Sequence, residues 1–196
     1  MKHFSIVQID SIEFETSKFA DNPFIIDSNL ITVSKNGISL PIDNSESIIL
    51  MDSISRDETE NVQYHFQGYN WSFNQYLIVE EMYEDERIFL IDKKDGKKTI
   101  LWNRPIQDQE GRYLFNKQSN LSAVYDDVPF GFQIWEKELG ALIQVEEVKL
   151  QHNIIMDAIW TTSGDLFIKS LPINEFITQG EEAKSGFDYY KLTKRK

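Results

Sequence analysis

Three histidines, His3, His65 and His152, and 32 Asp and Glu residues are the groups in this chain that could move protons or hold a metal. No histidine has a second one at metal-ligand spacing. His65 lies in VQYHFQGY between Tyr64 and Phe66, which reads as a packed or sheet-surface residue. A general base needs a positioned partner, and the residues around His65 and around His152 in LQHNIIMD name none. Glycosidase chemistry needs two carboxylates at a defined separation, and so many acidic residues single out no pair. No Gly-rich phosphate loop, nucleophile elbow or calcium loop occurs. DKKDGKK puts lysines where a calcium loop needs oxygen ligands. Cysteine is absent, which excludes a zinc ribbon, a thiol nucleophile, a disulfide scaffold and a lipid-anchoring cysteine. The DETE and EDE clusters read as solvated faces before metal sites. The expectation is a chain that is not an enzyme and uses no metal or cofactor, with a small hydrolase using carboxylates as the reading left open against it.

The carboxylates do suggest binding. Asp57 and Glu58 fall in a loop after SIILMDSIS, with Glu60 beside them. Glu80, Glu81, Glu84, Asp85 and Glu86 surround Met82 and Tyr83 in one hairpin region. Asp126 and Asp127 follow Tyr125 in the YDDVPFGF loop. An aromatic anchor ringed by charge suits a protein partner: the ring supplies desolvated area and the carboxylates orient a cation. The bland alternative is that these charges only guard strand edges. Net charge is −12, from 20 basic against 32 acidic residues. Without Lys191, Lys194, Arg195 and Lys196, residues 1–190 hold 16 basic against 32 acidic side chains, a balance of −16. Such a surface repels nucleic acid and anionic lipid and attracts a basic protein.

The elements that must position these groups are mostly strands. In ITVSKNGISLPI, a two-residue Asn36-Gly37 turn predicts a hairpin pairing Lys35 with Ile38, Val33 with Leu40 and Ile31 with Ile42. In IFLIDKKDGKKTILW, an Asp95-Gly96 turn pairs Ile91 with Ile100, Leu90 with Leu101 and Phe89 with Trp102. Both faces are apolar there, as in strands covered on two sides. Further runs are QYLIVEEMY, GRYLFN, GFQIWEK, ALIQVEEVKL, IIMDAIW, GDLFIKS and FDYYKLT, broken mainly at glycines. INEFITQGEEAK predicts one short helix with Ile173, Phe176 and Ile177 inward, limited by Gly180. The fold class expected is mainly β, an incomplete propeller-like or two-sheet sandwich domain with at most one or two short helices. It forms a single domain over 1–196 with a basic C-terminal tail at 191–196. MKHFSIVQID is too interrupted for a secretion signal, and no run of about 18 apolar residues exists, so a cytoplasmic protein is expected.

A blurred repeat runs through the chain. QYLIVEEMYEDERIFLID, GRYLFNKQS…GFQIWEK and GDLFIKSLP…FDYYKLT each give a strand, a connector and a second aromatic strand, starting at Tyr76, Tyr113 and Leu166. With the Glu110-Gly111 and Ser163-Gly164 turns, this resembles blade junctions of TolB-like or WD-type β-propellers, though the Trp-Asp signature is missing. The YEDE and YDD loops, with no catalytic set, resemble immunity proteins of bacterial polymorphic-toxin and contact-dependent growth inhibition systems. That resemblance implies neutralisation of a basic toxin, such as a nuclease, by covering its active site. The other binding reading is an adaptor using an open sheet edge.

Overall fold

The computed structural model describes residues 1–17, 24–118, 130–180 and 183–195. The chain is mainly β, with two short α-helices and fifteen strands among the described residues. β1 (Phe4–Ile9) leads into α1 (Ser11–Glu15), capped by the Asp10 carboxylate accepting from the Glu13 amide at 2.8 Å. β2 (Thr32–Ser34), β3 (Gly37–Leu40) and β4 (Ile48–Met51) make a three-stranded antiparallel meander. β5 (Val62–Asn70), β6 (Gln75–Met82), β7 (Glu86–Asp92) and β8 (Lys98–Leu101) make a four-stranded one. So do β9 (Ile106–Gln107), β10 (Tyr113–Lys117), β11 (Phe130–Glu138) and β12 (Ala141–Leu150). β13 (Asn153–Trp160), β14 (Leu166–Pro172), α2 (Ile173–Gln179) and β15 (Asp188–Lys194) follow, and β1 joins this last sheet beside β15.

The single domain expected over 1–196 takes the form of two compact units, a terminal one (Met1–Asp21 with Trp102–Lys196) and a central one (Asn22–Leu101). In the terminal unit the two four-stranded sheets share a core that includes Phe4, Phe115, Ile134, Ile168 and Leu192. Tyr113 stacks on Trp160 at 6.1 Å, and Phe4 meets Tyr113 edge-on at 5.5 Å. In the central unit Ile38, Leu40 and Ile42 pack on Tyr76, Ile78, Phe89 and Ile91. β6 is buried from Gln75 to Glu80 and β7 from Ile88 to Ile91, at every position on both faces. That explains why these two strands read as unbroken apolar runs rather than alternating ones.

Both hairpins form, each in a shifted register. Val33 pairs with Ile38 and Ser34 with Gly37, so Lys35-Asn36 is the turn and Gly37 stands inside β3. The partner of Val33 is displaced by two residues, from Leu40 to Ile38, which keeps the faces; Val33 is exposed, while Ile38 and Leu40 are buried. A Cβ on Gly37, at φ +140°, would lie 2.0 Å from the Leu50 carbonyl oxygen, so the glycine is required by the approach of β4. In the second hairpin Ile91 pairs with Lys98 and Phe89 with Ile100. A longer loop replaces the two-residue turn, with the Asp92 and Asp95 carboxylates accepting from the Lys94 and Lys97 amides. α2 matches the predicted helix and ends at Gly180, but only Ile173 and Phe176 join an apolar cluster; Ile177 points out.

The expected basic tail is mostly the strand β15. Lys191 meets Asp165 at 3.3 Å and Glu13 at 3.6 Å, and Lys194 lies 3.8 Å from Glu136. The start of the chain is also a strand, with Phe4 opposite Lys194. No helix among the described residues is long and apolar enough to cross a membrane.

The three copies of the blurred repeat are the two middle strands of the three four-stranded sheets: β6–β7, β10–β11 and β14–β15. Each copy is entered through a turn held by a buried polar side chain. Asn70 accepts from the Phe73 amide at 2.9 Å. Asp108 accepts from the Arg112 and Tyr113 amides, both at 2.7 Å. Thr161 Oγ1 accepts from the Asp165 amide at 3.1 Å. The turns contain Asn74, Gly111 and Gly164 at φ 58°, 66° and 83°. Burial raises the Asp108 carboxyl against the lowering effect of those amide bonds. A carboxyl raised on folding contributes stability below its ordinary pKa and loses it as pH rises through the folded value. Asparagine at this position, as at 70, keeps the acceptor without the buried charge. Asp108→Asn is therefore expected to melt at or above the wild-type temperature at pH 7. Asp108→Ala should lose about 1–3 kcal/mol in chemical denaturation, since the buried Tyr113 amide and the partly buried Arg112 amide lose their acceptor.

Candidate acidic binding site

One end of the β5–β6–β7 sheet collects two of the three acidic clusters. Val62, the first residue of β5, pairs with Met82, the last of β6. Ser53 and Val62 exchange both backbone hydrogen bonds at 2.9 Å, which ties the base of the 54–61 loop to the same corner. The Met82 amide donates to the Asp85 carbonyl at 2.8 Å, closing a tight turn at Tyr83-Glu84. An open groove of about 270 Å³ lies between loop and hairpin, lined by Asn61, Gln63, Glu81, Met82 and Tyr83.

The five hairpin carboxylates divide into two groups. Glu80 turns inward: it is 9% exposed, accepts from Tyr64 Oη at 2.7 Å and faces Arg87 at 3.6 Å. Burial, then the Glu80 hydrogen bond and charge, push the Tyr64 hydroxyl up to about 12. The Tyr64 amide in turn donates to the Asp52 carboxylate at 2.9 Å. Glu80 is thus committed to holding β5, β6 and β7 together and is not presented to a partner. Glu81, Glu84, Asp85 and Glu86 are exposed, and Tyr83 beside them is 56% exposed. Glu81 sits directly opposite Glu86 across the β6–β7 pair. Like charges in that position repel. The only close ion pair of this exposed group among the described residues is His65 Nε2 to Glu81 at 2.9 Å.

In the loop, the Asp57 carboxylate accepts from the Thr59 hydroxyl at 2.7 Å and its amide at 3.1 Å, bonds that hold it below the usual carboxylate range. Asp57 therefore shapes the loop while staying exposed. Glu58 begins the short helical turn Glu58–Glu60; its side chain lies outside the described residues. Tyr125, Asp126 and Asp127 lie outside them too.

A second charged cluster, in the terminal unit, has a different character. Glu136 accepts from Arg112 Nη2 at 2.6 Å, Arg112 Nε at 2.8 Å and Tyr113 Oη at 3.0 Å. Burial alone would raise the Glu136 carboxyl; the Arg112 and Tyr113 bonds and the Lys194 charge outweigh it and lower it. These charges satisfy one another within the fold. The hairpin carboxylates, by contrast, face outward with little compensation. No group of three His, Asp or Glu among the described residues is placed to hold a metal ion. The sequence points to the hairpin because its acidic residues are consecutive. It does not point to the His65–Glu81 pair, whose partners are 16 residues apart and meet only through the β5–β6 register.

No family model, curated protein or solved structure matches the chain.

Proposed function

We propose that this chain is a cytoplasmic, non-catalytic inhibitor that binds a basic protein and neutralises it by covering its working surface, as an immunity protein covers a nuclease toxin. The observation that carries the reading is the exposed Tyr83 set among Glu81, Glu84, Asp85 and Glu86, with like charges left opposite each other at Glu81 and Glu86. Repulsion of that kind weakens the free chain, and a cationic partner relieves it. The carboxylates pair with the Lys and Arg that a nuclease uses to hold phosphate, and Tyr83 fills the cleft between them. The body charge of residues 1–190 adds long-range attraction, so association is fast and salt-dependent.

The test is co-expression with the product of the neighbouring gene in the source genome. A stoichiometric complex with a basic protein, loosened by salt, together with protection of the cells from that protein, is the expected result. Absence of a basic partner together with absence of protection overturns the reading.

A further inference from the structure

The three-stranded sheet of the central unit is one strand short of the other three sheets, and β4 is its last strand. The Asp52 amide donates to the Asn36 carbonyl at 2.9 Å. With Gly37 opposite Met51, that bond makes Ile48 and Leu50 the residues whose N–H and C=O turn toward β3. Ile49 and Met51 turn theirs the other way. Ser53, on the same outward side, exchanges its bonds with Val62 and closes the edge at that corner. From Ile48 to Met51 no described strand covers the edge. Ile48 and Leu50 pack against the core, while Ile49 and Met51 are 63% and 56% exposed. Exposed edges are normally blunted by lysine, other charges or proline. β8 begins at Lys98 and β12 has Glu147 and Lys149, whereas Ile48-Ile49-Leu50-Met51 has no such guard.

We propose that β4 takes up an extended segment of the partner protein as a fourth strand. The segment carries apolar side chains at alternate positions, to lie beside Ile49 and Met51, and Lys or Arg at its ends. Glu46 precedes β4, and Asp57 and Glu60 follow it in the adjoining loop, so a basic segment meets opposite charge at both ends. A second copy of this chain fits worse, because pairing two β4 edges brings together two chains of net charge −12. The basic ends rest on the proposed function; the strand addition itself does not.

The test is selection of displayed random decapeptides on the wild-type chain, followed by binding of the enriched peptides to variants. Ile49→Pro removes one outward N–H and leaves the ladder to β3 intact; Ile49→Thr keeps that donor. The expected result is enrichment of alternating apolar peptides with basic ends. Binding should fall tenfold or more in Ile49→Pro and stay within a few fold in Ile49→Thr. Slowed exchange of the Ile49 and Met51 amides on adding peptide to the wild-type chain gives the same answer even if the proline variant fails to fold. No enrichment, or no protection of these two amides, overturns strand addition. Peptides whose binding ignores Ile49→Pro but is lost in a Glu84→Gln, Glu86→Gln variant leave the acidic site standing and remove the edge. Peptides that require the edge but carry no basic residues do the reverse.

Discussion

Gly131→Ala is expected to lower the unfolding free energy of the terminal unit by about 3 kcal/mol or more, combining backbone strain with overpacking. Gly131 lies in β11 opposite Lys149 of β12, at φ +156°. A Cβ built there falls 1.8 Å from the Val148 carbonyl oxygen and 2.9 Å from its carbon. Both contacts are backbone, so no side chain can rotate away. Relief requires β11 and β12 to separate near Phe130 and Phe132, both buried. Small domains have only about 5–15 kcal/mol in total, so the loss is large. Gly164→Ala is the control: its φ of +83° is unfavourable to alanine, but nothing lies within 4 Å of the new Cβ. It should lose only about 1 kcal/mol. Chemical denaturation of the two variants separates clash from strain. A Gly131→Ala protein within 1 kcal/mol of the Gly164→Ala protein would disprove the close approach.

The same physics sets how much of the fold is legible in the sequence. Gly37 looks like a turn residue because Asn-Gly is the strongest short-range hairpin signal. Its actual role is set by Leu50, brought against it by a different strand, and no local rule contains that contact. The turn then moves back by one residue and each cross-strand partner by two, so Val33 faces Ile38 in place of Leu40 while the faces are kept. The second hairpin also moves by two, which preserves the faces, so its expected apolar character survives the changed partners. Turns with glycine at 111 and 164 are legible; the equivalent turn at Asn74 is hidden in WSFNQ, where asparagine takes the left-handed conformation. Pairing of β1 with β15 joins the two ends of the chain and leaves no local trace beyond the apolar Phe4, Ile6, Val7 and Ile9.

The acidic site is legible for a related reason. Charges next to one another in sequence stay together whatever the register, so the 80–86 cluster survives as a group. What sequence cannot give is which face each member takes. Strand alternation sends Glu80 toward Tyr64 and Arg87 and Glu81 to the opposite face with His65 and Glu86. The inward carboxylate is consumed by structure, and the outward ones remain free to do something else. A charge left near like charges weakens the fold slightly, and the proposed function accounts for that small loss by a cationic partner that relieves it.

Replacing Glu84, Asp85 and Glu86 by Gln, Asn and Gln is accordingly expected to separate stability from binding. The melting temperature should hold or rise, because Glu81 loses its like-charged opposite residue at 86. The Asp85 side chain accepts from the Glu86 amide at 2.9 Å, and asparagine preserves that acceptor. Association with the proposed basic partner should slow by about tenfold to a hundredfold at low ionic strength, with dissociation changing far less. The dependence of the association rate on salt should flatten in parallel. Neutralising the exposed Glu15, Glu110 and Glu138 of the terminal unit removes the same charge elsewhere and should alter the rate only a few fold. Tyr83→Ala makes the complementary change, leaving association fast and shortening the life of the complex by about thirtyfold, or 2 kcal/mol, if the ring is the anchor. Stopped-flow association over a salt series, with dissociation followed by competition, reads both effects. Equal rates for the hairpin and terminal-unit variants would mean that net charge alone attracts the partner, and that the β6–β7 hairpin is not where it lands.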